Sequence, residues 1–248
     1  MLRVHPAWLL ALALMGCKHV PTEKERRGAE IHFELGVQAQ QSGNVKEAYL
    51  EFQKALELDP EYPEARNAIA ILLHLSFNRP EEAITHYQKA LEVRPGFSEA
   101  KTNLGNVYLS QERYDEAISL YEEALNDMLY PTPYIAQGNL GWALYKKGDG
   151  ERALQSIKAA VTTNPGFCLG YRNLGLIYEE QGELADSCRY FSRYRESCPE
   201  EADAHLREGA CLVKQGKLDA ARERFTTCEA KAKTEALKDD CRRLLGAL

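Results

Sequence analysis

The 248-residue chain has no apolar run long enough to cross a bilayer; its longest, Ala7–Met15, is too short for a hydrocarbon layer of about 30 Å. It is also short of positive charge. Its 31 Lys and Arg face 37 Asp and Glu, a net charge of −6. Phosphate neutralisation needs clustered cations, so nucleic acid is excluded as a partner. Catalytic signatures are missing: there is no G-x-S-x-G, no P-loop and no H-E-x-x-H. The six histidines (5, 19, 32, 74, 86 and 205) are scattered, and His74 and His86 fall on different predicted helices with no carboxylate pattern around them. Acidic pairs such as Glu122-Glu123 and Glu179-Glu180 read as solvated helix ends. The expectation is a non-enzyme with no cofactor, no metal and no small-molecule substrate. Disorder is excluded as well, because 44% of the residues are hydrophobic, enough for a sizeable core.

What the chain does have begins at its amino end. Arg3 precedes the apolar run Ala7–Met15, and Gly16-Cys17 follows it, the layout of a secretory signal peptide over residues 1–16. The stretch Leu14-Met15-Gly16-Cys17 resembles the lipobox of bacterial lipoproteins, with Met at its second position a mild departure. The resemblance implies cleavage before Cys17 and a covalent lipid on its thiol and amine; two or more acyl chains anchor stably where one is marginal. An ordinary cleaved signal with an incidental cysteine is the plainer alternative. Lys18 stands where Asp would favour inner-membrane retention in the lipoprotein family, which points to the outer membrane. Residues 17–28, ending in KHVPTEKERRG, are polar without apolar periodicity and read as a lipidated tether.

A period of about 34 residues runs through the rest. Small residues recur at Gly36, Ala70, Gly105, Gly141, Gly175 and Gly209. A second small residue follows in each unit at Ala48, Ala83, Ala117, Ala153, Ser187 and Ala221, and a bulky one at Phe52, Tyr87, Tyr121, Ile157, Phe191 and Phe225. Prolines close most units at Pro60, Pro95, Pro165 and Pro199. This pattern resembles the tetratricopeptide repeat, a helix–turn–helix unit of 34 residues. It predicts an all-α superhelix of six repeats over 29–235 (29–62, 63–97, 98–133, 134–167, 168–201 and 202–235) and a capping helix over 236–248. Glycine inside a helix costs about 1 kcal/mol against alanine, so its return at one repeat position predicts a neighbouring helix packed too closely for a side chain. Gly43, Gly148, Gly182 and Gly216 fall between the two helices of their repeats, where a left-handed cap suits glycine. Repeat two has Phe77-Asn78-Arg79-Pro80 there instead, and repeat three ends in a longer Met128–Pro133 segment.

Apart from Cys17, the cysteines (168, 188, 198, 211, 228 and 241) all lie in the last third. A secreted destination makes disulfides plausible, and six cysteines allow 15 pairings. Antiparallel helices bring the start of one near the end of the next. On that register the candidate pairs are Cys168–Cys198, Cys188–Cys211 and Cys228–Cys241. Buried free thiols are the plainer reading, and a zinc site lacks any Cys-x-x-Cys pair.

A stack of such repeats presents an inner face lined by first helices. Its positions hold Phe33 and Val37 in repeat one, Ile71 in two, Leu109 in three, Trp142 and Tyr145 in four, and Leu176 in five. These are more apolar than exposed helix faces usually are, which predicts a partner-binding groove with Trp142 as its best anchor; filling of the stack by Phe33 and Trp142 is the competing reading. Chaperone-type repeats grip a terminal carboxylate with Lys, Asn and Arg; here Phe33, Val37, Asn67, Ile71, Thr102 and Asn106 supply no cation for that.

A lipobox followed by six such repeats resembles the type IV pilus pilotin lipoproteins (the PilF/PilW/Tgl group), the myxobacterial member above all. The resemblance rests on architecture and length. It implies an outer-membrane lipoprotein on the periplasmic face that binds secretin subunits and promotes their localisation and assembly for pilus biogenesis and pilus-dependent motility. A lipoprotein adaptor for peptidoglycan hydrolases or proteases is the alternative.

Overall fold

The computed structural model describes residues 20–248, so the expected signal segment and Cys17 lie outside the described residues. Those residues form 13 helices and no strand. The described residues divide into two compact units, one up to residue 65 and one over 66–248. The first holds α1 (Glu23–Gln41), α2 (Val45–Leu58) and the opening turn of α3 (Pro63–Leu75). The second holds the rest of α3, then α4 (Pro80–Val93), α5 (Ser98–Ser110), α6 (Tyr114–Leu125), α7 (Pro133–Lys147) and α8 (Gly150–Thr163). It continues through α9 (Cys168–Glu180), α10 (Leu184–Ser197), α11 (Ala202–Lys214), α12 (Leu218–Lys231) and α13 (Glu235–Gly246). The helices follow the repeat register, with α13 in the place of the cap.

The tether is shorter than the polar stretch suggests, because α1 begins at Glu23. The Glu25 N–H donates to the Thr22 side chain at 3.3 Å, and the Thr22 N–H donates to the Glu25 carboxylate at 2.7 Å. This reciprocal capping box satisfies two end-of-helix donors, so polar KERRG is a helical first turn and a half. Ala29 and Ala55 are buried under Phe33, Leu58 and Tyr62 in the first unit. There His32 Nδ1 lies 2.7 Å from Glu51; Lys54 and then His32 hold the Glu51 carboxyl below its ordinary range.

Helix pairs close on one recurring contact. The bulky second-helix residues Phe52, Tyr87, Tyr121, Ile157, Phe191 and Phe225 are all at most 1% exposed. A Cβ added at Gly175 would sit 2.4 Å from the Phe191 ring, and one at Gly105 2.7 Å from the Tyr121 ring. Overpacking of that kind costs about 1–3 kcal/mol, which accounts for helix-interior glycines despite their low propensity. Pro63, Pro80 and Pro133 open α3, α4 and α7, where a missing N–H has no helical partner to lose.

The hairpin turns are left-handed throughout the repeats but not all glycine. Gly148, at φ 97°, caps α7. In repeat two Asn78 takes the position at φ 52°, and in repeat three Glu112 does at φ 60°. A non-glycine residue there costs about 1–2 kcal/mol, least for Asn. The longer Met128–Pro133 segment is pinned by Asp127, which accepts from the Ser98 hydroxyl at 2.7 Å and the Leu129 N–H at 2.9 Å.

The six described cysteines form three disulfides. Cys168 at the start of α9 joins Cys198 at the end of α10, with Cα atoms 5.9 Å apart. Cys188 on α10 joins Cys211 on α11 at 5.5 Å, and Cys228 on α12 joins Cys241 on α13 at 5.9 Å. Cys241 is the one buried residue of α13, so the cap's deepest contact is a covalent one.

Candidate partner-binding face

In the second unit, first helices α7, α9 and α11 together line an open depression of about 540 Å³. Its apolar floor is Trp142 and Leu176. Trp142 rests beside Tyr145, ring centroids 5.7 Å apart, and both pack on the buried cluster Ile157, Leu174 and Ile177. Leu176 is backed by Phe191 and the Cys188–Cys211 pair. Trp142, Tyr145 and Leu176 are each half-buried: seated from behind and open in front.

The rim is charged, which the sequence positions alone understate. Lys146, Arg172 and Arg207 face Glu179 and Glu180 around the depression. The Lys146 ammonium lies 4.8 Å from the centroid of the Trp142 ring, a cation–π contact that leaves its donors available. The Arg172 and Arg207 Nε atoms both donate to one oxygen of Asp203, each at 3.0 Å. Glu179 accepts from Lys214 at 2.9 Å, and Glu180 accepts from the Tyr145 hydroxyl. Burial first, and then Glu180, pushes the Tyr145 phenol up to about 12, so it stays a donor across the physiological range. The apolar groove expected from Trp142, Tyr145 and Leu176 is therefore an apolar floor inside a charged rim.

The other expected groove residues are not gathered here. Phe33 lies in the first unit, 5.5 Å from the Phe52 ring and 5.2 Å from the Tyr62 ring. It is a packing residue of the α1–α2 pair rather than a free anchor, because three rings close around one another. Val37, in the same unit, and Ile71 and Leu109, in the second, are half-buried on α1, α3 and α5. In the second unit the first-helix faces of repeats two to four carry an amide ladder. Asn103 donates to Asn67 at 3.1 Å, and Asn139 donates to Asn106 at 2.7 Å. Asn106 also accepts from the buried Tyr121 at 2.8 Å. These amides are engaged with one another, with Glu99 and with Tyr121, so this stretch offers a partner less than the depression does.

The tetratricopeptide-repeat profile matches residues 70–134, 139–199 and 172–226, and a second profile of the same name matches 29–62. The chain belongs to the tetratricopeptide-repeat family. It is related at modest identity to type IV pilus assembly proteins. The "Type IV pilus assembly protein PilF" of Pseudomonas aeruginosa is 28% identical over 209 residues, covering 80% of this chain and 81% of the relative. The crystal structure of PilW, a "widely conserved type IV pilus biogenesis factor", superposes with a TM-score of 0.75 at 24% identity, over 88% of this chain and 98% of that one. The Pseudomonas aeruginosa PilF structure gives 0.74 at 20% identity, over 89% and 99%. At those identities the two structures speak for the fold alone.

Proposed function

We propose that this chain is an outer-membrane pilotin lipoprotein, anchored through lipid on Cys17 with its fold on the periplasmic face. On this reading it binds secretin subunits, brings them to the outer membrane and promotes their assembly into the pilus export channel used in pilus-dependent motility. The carrying observation is the relation to PilF across 80% of this chain and 81% of that one. The lipobox Leu14-Met15-Gly16-Cys17 and the paired cysteines, which suit an oxidising compartment, support the same reading. Within the pilotin group we take the myxobacterial member as its counterpart.

The mechanism is capture followed by release to assembly. A lipid anchor confines the fold near the membrane and raises the effective concentration of a bound subunit there. The depression over Trp142 and Leu176 shields an aggregation-prone segment of the unassembled subunit. No nucleotide enters. In cells, Cys17→Ala is expected to move the protein out of the membrane fraction, and Trp142→Ala to lower secretin multimers on gels while the protein stays folded and abundant. Unchanged fractionation would refute the lipid anchor, and normal multimers with Trp142→Ala would refute capture at this face.

A further inference from the structure

The charge of the rim carries a statement about the partner that the whole-chain charge contradicts. The chain is acidic, at −6, which alone favours a basic partner. Locally the carboxylates are already engaged: Asp203 lies under two guanidiniums, Glu179 under Lys214, and Glu180 holds the Tyr145 hydroxyl. The cations are not so engaged. Each arginine uses its Nε on Asp203, which leaves the terminal guanidinium nitrogens without a protein acceptor. The Lys146 ammonium has only the Trp142 and Tyr145 rings, 4.8 and 5.8 Å away. These donors stand on three successive first helices around one apolar floor.

We infer that the depression between α7, α9 and α11 takes an acidic, apolar segment of its partner: a Leu, Met or Phe side chain against Trp142 and Leu176, flanked by Asp or Glu side chains that pair with Lys146 and with the Arg172–Arg207 couple. This rests on the capture reading above and names the chemistry of what is captured. Charge-assisted bonds from guanidinium to carboxylate are about twice as strong as neutral ones, and the half-enclosed setting limits their screening. Cations spread over three helices call for acidic side chains along a segment, not one terminal carboxylate.

The chain has two tryptophans, Trp8 and Trp142, so full-length protein carrying Trp8→Phe reports on this depression through one indole. The probes are blocked dodecapeptides with a central Leu-Ala-Ala-Phe and flanking positions set to Asp, Asn or Lys. The Asp peptide is expected to shift Trp142 emission saturably and to bind about tenfold more tightly than the Asn peptide. That advantage should shrink as salt rises from about 50 to about 500 mM. Lys146→Gln, at an exposed position, and Arg207→Gln should each lower the ratio of Asp-peptide to Asn-peptide affinity, with circular dichroism confirming the fold. Equal binding of Asp and Asn peptides, tighter binding of the Lys peptide, or no emission change with any of them overturns the acidic-segment inference. Loss of secretin multimers in Trp142→Ala cells alongside any of those results would leave capture at this face standing; normal multimers would remove the capture reading itself.

Discussion

Repeats three and four and repeats five and six have the same helical-hairpin plan and hold it by different means. In α5–α8 the layers are joined by neutral amides, Asn106 bridging Tyr121 and Asn139, by exposed ion pairs such as Arg152 with Glu122, and by glycine-to-aromatic contacts such as Gly105 on Tyr121. In α9–α13 the glycine contacts persist at Gly175 and Gly209, but three disulfides and an ion-pair cluster around a buried carboxylate are added. Glu208, nearly buried, accepts from Arg195 at 2.8 Å and lies 3.1 Å from Arg224. The comparison teaches that a repeat stack weakens toward its end. Helix α12 buries Ala221, Phe225 and Cys228, as many residues as α6 or α8, but α13 buries only Cys241; little apolar area is left on that last helix to offset the ordering of the chain. Cross-links restrict the unfolded chain instead, each adding on the order of 3 kcal/mol for loops of this size.

The sharpest way to break that contrast is reduction. With dithiothreitol α9–α13 is expected to lose several kcal/mol, about 3 per bridge, and with Cys228→Ser and Cys241→Ser together the about 3 of a single bridge. Hydrogen exchange should then show α13 and α12 opening first while α5–α8 keep their protection. Uniform loss across both regions would show that the bridges support the whole stack rather than its end.

Acid probes the other side. His86 on α4 has a buried Nδ1 without a partner. Burial, with Arg66 and Lys89 adding repulsion, pushes its imidazole down to about 4 from an ordinary 6.5. The folded state therefore resists a proton that the unfolded chain accepts below 6.5. Stability should be full above pH 6.5 and fall on the order of 2 kcal/mol by pH 4. His86→Gln should flatten that slope in urea melts taken at several pH values, and an unchanged slope would remove His86 as its source.

The smallest effect is a gain. Glu112 occupies a left-handed turn in repeat three that the repeats with Gly148, Gly182 and Gly216 fill with glycine. Glu112→Gly should stabilise by about 1 kcal/mol, read as a higher denaturant midpoint with unchanged slope. The equivalent Gly182→Glu should destabilise repeat five by a similar amount.

Much of this was legible in the residues. The recurring glycine and the bulky residue in the second helix define the register, and six repeats multiply a signal that a single helix would give weakly. The disulfide geometry follows from that register, because Cys168 opens α9 and Cys198 closes α10. What was not legible has local causes. Polar KERRG hides a helix start that only Thr22 and Glu25 mark. Glu112 lacks the glycine that announces a left-handed turn. Phe33 sits at an inner-face position, but its closure by Phe52 and Tyr62 depends on ring placement rather than spacing. The charged rim escaped because Lys146 and Arg207 stand one place outside the usual groove positions, and because the pairing of Arg172 with Asp203 crosses between repeats.

The central claim is that the face built on Trp142 touches a secretin during assembly. A photo-crosslinking amino acid placed at 142 in living cells, against the same group at exposed Gln155 on α8, measures that directly. The account predicts a secretin adduct from position 142 and none from 155. Adducts of equal yield from both, or from 155 alone, would contradict it.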